Sequence, residues 1–182
     1  TRPRGADEQE DLKAARSLLE DPKENAEHSM LVDLGRNDIG RVSDIGSVQV
    51  RHMKQVQRYS HVMHMTSEVH GRLKESCDIY DALASVLPAG TLSGAPKISA
   101  MNIIEQLEPV KREIYGGAIG FLGYNKQFDA CITIRTFIFH NHKVYLQAGA
   151  GIVKDSVPEK EYEETLHKAK AMLRAVHGEV TV

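Results

Sequence analysis

The stretch Ala130–Val153, ACITIRTFIFHNHKVYLQAGAGIV, decides the fold class. Ala130 to Phe139 is rich in β-branched and aromatic side chains, and a second strand-like run extends from Val144 to Val153. Only His140-Asn141-His142-Lys143 separates them. A link that short cannot hold a crossover helix, so the two runs return on each other as an antiparallel hairpin. Upstream, Ile114 to Tyr124 reads as a third strand, which Asn125-Lys126 turns into the next in the same way. Gly116, Gly117, Gly120 and Gly123 weaken a strand, so they mark the close approach of another backbone or of a ligand.

Helical patterns lie on both sides of this region. Downstream, Ser156-Val157-Pro158-Glu159 has the form of a capping box and predicts a helix to about Val176. Upstream, Asp78 to Leu87 reads as a short helix and Pro88 to Lys97 as a loop dense in Gly and Pro. Pro96 then opens a helix carrying Ile98, Met101, Ile104 and Leu107.

Nearer the start, Val48 to Tyr59 and His61 to Leu73 follow period two. The second run puts Met63, Met65, Val69 and Leu73 on one face, with Val62, His64, Thr66 and Glu68 on the other. Asp7 to Glu20 is an amphipathic helix with Leu12, Ala15, Leu18 and Leu19 on one stripe. Asp21 then serves as N-cap and Pro22 as the first helical residue, with Glu24 at the capping-box position, predicting a second helix to about Leu34 before Gly35. The class is α+β, antiparallel sheets flanked by helices.

Composition narrows the function classes. The 182 residues carry 23 basic and 25 acidic side chains, a net charge of −2 that argues against electrostatically driven nucleic-acid binding. No apolar run approaches the ~20 residues of a membrane-spanning helix. Cys77 and Cys131 have no CxxC spacing and are too few for a disulfide framework, which points to a reducing, cytoplasmic setting. The chain opens on Thr1-Arg2-Pro3-Arg4-Gly5, rigid turn chemistry in place of a polar tail, as expected of a segment that starts inside a longer chain.

Several residues could carry chemistry. Glu161, Glu164 and Lys168 share one helix face, and Glu24 and Glu27 lie one turn apart on another helix. Carboxylates converging on one point require a cation, and oxygen-only ligands suit Mg²⁺, although an E-x-x-E pair taken alone is more often a solvated face. Arg135, in the apolar run Cys131 to Thr136, needs a partner: a carboxylate-bearing ligand or a structural ion pair. Gln147-Ala148-Gly149-Ala150-Gly151 leaves backbone N–H groups open to a ligand but does not match G-x-G-x-x-G, and Ser93-Gly94-Ala95-Pro96-Lys97 lacks the end of a P-loop. Each by itself also fits an ordinary turn. The histidine pairs His61/His64 and His140/His142 lack the further ligands that zinc requires. His64 is the best placed general acid or base, against the plainer alternative of a packed strand histidine.

Taken together, the segments resemble the chorismate-utilising enzymes over essentially the whole chain. The landmarks are Thr1 to Gly5, Asp21-Pro22-Lys23-Glu24-Asn25-Ala26-Glu27-His28, Leu31 to Asp38, Tyr59 to His64 and Ala89 to Lys97. They continue through Tyr115 to Gly120, Ile132 to Thr136, Gln147 to Val153 and Asp155 to Glu159. The anthranilate-forming branch fits best. The branch that forms 4-amino-4-deoxychorismate usually has a Ser-Ile-Thr-like stretch where this chain has Thr91-Leu92-Ser93, and lacks the Gln-Ala-Gly-Ala-Gly form of residues 147–151.

The resemblance implies Mg²⁺ held directly by Glu27 and Glu164, with Glu24 and Glu161 on metal-bound waters. It implies a chorismate ring lined by Thr91 and by Gly149, Ala150 and Gly151, with Arg135 and Tyr115 on the enolpyruvyl carboxylate. His64 would stand beside the ring, and Lys168 would extend the charged face around the metal. Ammonia would come from a glutamine amidotransferase partner in a hetero-oligomer. Family members have a longer N-terminal portion, so residues 1–182 would be the C-terminal part of the chorismate-binding domain, and autonomous activity is not implied.

Overall fold

Two aspartates set the helical start of the chain. In a computed structural model describing residues 1–154 and 156–177, Asp7 accepts the Glu10 amide at 2.8 Å and caps α1 (Glu8–Glu20). Asp21 accepts the amides of Lys23 at 2.9 Å and Glu24 at 3.1 Å, and Pro22 opens α2 (Pro22–Gly40). The capping-box expectation for Glu24 changes, since its carboxylate accepts from Arg2 at 3.0 Å. The expected end before Gly35 is also corrected: α2 runs on to Gly40. A Cβ built at Gly35 would sit 3.5 Å from Val69 Cγ2, so the glycine faces the sheet, and packing there outweighs its poor helix propensity.

The chain divides into two units, Thr1–Val86 and Leu87–Val182. In the first, the two expected strands are β2 (Gln49–Arg58) and β3 (Val62–His70), which pair as an antiparallel hairpin, and β1 (Arg2–Pro3) pairs on the other side of β3. The register shifts between Arg51 and Gln55, where His52 and Lys54 adopt left-handed φ of 50° and 56°. Period two sends Met63 into the core, and Met65 packs alongside, while the apolar stripe of α1 supplies Ala15 and Leu18. Leu18 and Met63 are 0% exposed, and each such side chain contributes about 1.5–3 kcal/mol by burial. Arg4 Nε donates to both oxygens of buried Asp11 at 2.9 Å, tying the segment after β1 onto α1. α3 (Ile79–Val86) ends the unit, with Asp78 accepting the amides of Tyr80 and Asp81.

The second unit contains two separate hairpins. β4 (Ala118–Leu122) pairs antiparallel with β5 (Phe128–Ile132), and β6 (Phe137–His140) with β7 (Lys143–Leu146). Asn141 and His142 have φ of 48° and 58°, as a two-residue type I′ turn requires. The expected single strand from Ala130 to Phe139 is broken. Pairing beyond β5 ends with bonds between Thr133 and both Gly116 and Gly117, and Arg135 then takes φ 52°, outside the extended region and with no pairing to carry the strand through it. The run expected from Val144 to Val153 is shorter, β7 ending at Leu146 and leaving 147–153 irregular. Within the Pro88–Lys97 loop, α4 (Gly90–Ser93) forms a single turn, and α5 (Lys97–Leu107) follows from Pro96. α6 (Pro158–His177) matches its predicted span, and the Ser156 hydroxyl accepts the Val153 amide at 3.0 Å. Asp155 lies outside the described residues.

Candidate functional site

In the first unit, α2 carries Glu24 and Glu27 one turn apart, and β3 carries His64. The short strand β1 reaches both elements. Arg2 donates to Glu24 at 3.0 Å and to Asp21 at 2.8 Å, while the Thr1 hydroxyl lies 2.7 Å from His64 Nδ1. Burial works to raise the Glu24 pKa, and the hydrogen bond from Arg2 works to lower it, holding the carboxylate below its ordinary value. Glu27 is exposed and has no hydrogen-bond or ion-pair partner among the described residues. His64 is half-buried on the face opposite the buried Met63, with the Tyr59 ring edge-on at 5.6 Å. A hydroxyl on one ring nitrogen and an aromatic edge fix the imidazole orientation, as a general acid or base requires.

In the second unit, several expected ligand-binding residues come together. Lys168 Nζ, on α6, lies 2.5 Å from Glu164 and donates to the Gly149 carbonyl at 3.1 Å. The Tyr115 hydroxyl approaches the same glycine: a Cβ at Gly149 would lie 3.2 Å from it, so any larger residue would crowd the pair. Ala150 and Glu161 line one cleft of about 370 Å³ with Ile152, Val153, Tyr162 and Thr165. Gly151 has no atom within 4 Å of the space a Cβ would take. Thr91 is exposed on α4.

The expectation that Arg135 sits in an apolar strand needs correcting: it is exposed in the link between β5 and β6, held at left-handed φ. Among the described residues it has no carboxylate partner. Sequence patterns missed Arg112, which bonds Glu108 and Leu92 and lies over the Tyr115 ring. Nothing distinguishes an arginine in the link Pro109 to Glu113 from a solvated one. The Thr1 hydroxyl on His64 was missed for the same reason.

In each unit the expected metal-ligating carboxylates, Glu24 and Glu27 in the first and Glu161 and Glu164 in the second, offer only oxygen, the donor chemistry that suits Mg²⁺. Within either unit no three His, Cys, Asp or Glu side chains gather in metal-binding geometry among the described residues.

Comparison with known proteins places the chain in a family. The model for chorismate binding enzymes matches residues 1–174. The chain belongs to the chorismate-binding enzymes. It is 58% identical over 182 residues to anthranilate synthase component 1 of Acetivibrio thermocellus, covering 99% of this chain and 37% of that protein. The same protein of Pseudomonas aeruginosa is 58% identical over 176 residues, covering 97% and 36%. Among solved structures, anthranilate synthase component I from Streptococcus pneumoniae superposes with a TM-score of 0.86 at 55% identity, covering 90% of this chain and 38% of that one. A putative 2,3-dihydroxybenzoate-specific isochorismate synthase from Bacillus anthracis gives 0.81 at 30% identity, covering 97% and 47%. The chain thus spans little more than a third of the length of the curated chorismate-binding relatives it matches. Among its described residues no helix is long and apolar enough to cross a membrane.

Proposed function

We propose that residues 1–182 are the C-terminal portion of the chorismate-binding domain of an anthranilate synthase large subunit, which converts chorismate and ammonia to anthranilate and pyruvate with Mg²⁺. The grouping of Lys168, Glu164, Gly149 and Tyr115 carries this reading, because it brings a cation, its carboxylate partner and a phenol to one glycine whose carbonyl accepts from the cation. The 58% identity to proteins named anthranilate synthase component 1 supports the same product.

On this reading Glu24, Glu27, Glu161 and Glu164 hold Mg²⁺, which when bound neutralises the ring carboxylate of chorismate and polarises the bond to the departing hydroxyl. Unpartnered Glu27 suits a direct ligand, and Glu24, shared with Arg2, suits contact through water. Arg135 and Tyr115 bind the enolpyruvyl carboxylate, a task for which a free guanidinium is suited. Thr91 and Gly149 to Gly151 shape the ring site. Ammonia adds at C2 as the 4-hydroxyl leaves as water. In the second stage the C2 proton is lost to His64 and the C3–O electron pair departs with the enolpyruvyl group, leaving an aromatic ring and the enolate of pyruvate, which takes a proton at its methylene carbon to give pyruvate.

The number in the name component 1 supports a second chain, which we assign as a glutamine amidotransferase that supplies the ammonia in a cytoplasmic hetero-oligomer. Glu27→Gln and Glu164→Gln, each in the full-length protein, are expected to abolish Mg²⁺-dependent anthranilate fluorescence from chorismate and ammonium. Normal turnover in both variants would overturn the metal assignment. Product chromatography with and without an added lyase checks the product: 4-amino-4-deoxychorismate yields an aromatic amine only with that enzyme.

A further inference from the structure

Arg112 lies between α5 and β4, outside every motif that the reaction uses. Its Nε donates to Glu108 Oε1 and Oε2 at 3.1 and 2.9 Å, and Nη2 donates to Oε1 at 2.5 Å. Nη1 donates to the Leu92 carbonyl at 2.7 Å. The guanidinium carbon stands 5.8 Å from the centre of the Tyr115 ring, and the Arg112 carbonyl accepts the Tyr115 amide at 2.8 Å. One half-buried side chain thus holds the residue beside Thr91 and the ring of Tyr115.

Neither neighbour is fixed by its own secondary structure. α4 is a single turn, too short to sustain itself, and carbonyls in the last turn of a helix have no intrahelical donor. Arg112 supplies one to Leu92, as basic side chains do at helix C-termini. Tyr115 follows Glu113, at φ 48°, and precedes Gly116, at φ 79°, in a turn with no strand pairing at the tyrosine itself. The cation stands at one side of its ring, and at the hydroxyl end Gly149 leaves the space that a Cβ would fill. The geometry requires a planar fork with several donors and a flat face, which lysine does not have.

We propose that Arg112 is a positioning residue that sets Thr91 and Tyr115 for substrate, with Glu108 orienting its guanidinium. This rests on the reading that Thr91 and Tyr115 contact chorismate. Because Arg112 itself touches neither the reacting bonds nor the metal residues, its loss weakens ground and transition states alike, raising KM with little change in kcat.

The test is steady-state kinetics of the full-length protein with chorismate, Mg²⁺ and ammonium, comparing Arg112→Gln, Arg112→Lys, Glu108→Gln, Thr91→Val and Tyr115→Leu. Arg112→Gln is expected to raise the chorismate KM by roughly tenfold or more, the scale of one lost charged hydrogen bond. Arg112→Lys keeps the charge and should retain most of that defect, and Glu108→Gln should fall between Arg112→Lys and wild type. If Arg112→Gln does not fold, Arg112→Lys decides. A wild-type KM in the arginine variants, or a fall in kcat alone, overturns the proposal. If Thr91→Val and Tyr115→Leu themselves leave KM unchanged, the reading of the substrate site fails, an outcome separate from the behaviour of Arg112.

Discussion

The two units bury their apolar residues differently. Thr1–Val86 closes Leu18 and Met63 completely, with Ala14, Val56 and Met65 packed around them. In the second unit, the buried residues among those described are Ser93, Gly116 and Thr133, while Phe121 and Phe139 stand 74% and 73% exposed. Both units have strongly patterned strands. The difference teaches that alternation predicts which face of a strand is apolar, and not whether anything within residues 1–182 covers it.

Core truncation should expose this contrast most strongly. Leu18→Ala or Met63→Ala removes a fully buried side chain and is expected to cost about 2–5 kcal/mol in chemical denaturation. Phe121→Ala, in the same 182 residues, should change stability by no more than about 0.5 kcal/mol. Equal losses at Leu18 and Phe121 would break the comparison, because they would mean that the β4–β5 hairpin buries its apolar face as thoroughly as the first unit does.

Legibility follows the same division. Asp21 could be read as a cap because an N-cap depends on residues a few positions apart, whereas Asp7, read as the first helical residue, is the N-cap of α1, and both hairpin turns of the second unit were visible as short polar links. The persistence of α2 through Gly35 was not readable, since Val69, which meets that glycine, lies on β3. The break at Arg135 depends on where the Thr133–Gly117 bonds end, a pairing between distant segments. At the site, helix periodicity revealed the carboxylate pairs and the Glu164–Lys168 contact, because i, i+4 geometry is local. Arg112 and the Thr1 contact to His64 were invisible, because each depends on a tertiary neighbour.

Acid titration sharpens the account of the first unit. The Arg4 hydrogen bond and the Gly5 amide hold the Asp11 carboxyl below its ordinary value of 3.8. A folded-state pKa that is depressed contributes stability in full above the unfolded value, and that contribution fades as pH falls through the folded one. Wild-type stability should therefore drop below about pH 4, and Asp11→Asn should be less stable at neutrality with a flatter acid limb. An unchanged acid limb in urea melts of the variant would remove Arg4–Asp11 as a tie between the β1 segment and α1.

The smallest expected effect contrasts two glycines. Gly35 lies within α2 at ordinary helical φ, and an added Cβ would meet Val69 Cγ2 at 3.5 Å, a normal contact. Gly35→Ala should therefore stabilise by about 0.5–1 kcal/mol through helix propensity. Gly120, in β4, would place a Cβ 2.5 Å from the Asp129 carbonyl and 2.7 Å from Ala130 Cβ, so Gly120→Ala should destabilise by about 1–3 kcal/mol as the β5 backbone is forced away. Thermal melts of the two variants bear directly on what separates the units. A glycine in the first unit is dispensable because a helix and a sheet already meet around it, whereas one in the second is required because two backbones meet at its Cα. If Gly35→Ala destabilised as much as Gly120→Ala, α2 and β3 would be packed too closely for a methyl group, and the passage of the helix through Gly35 would depend on glycine itself.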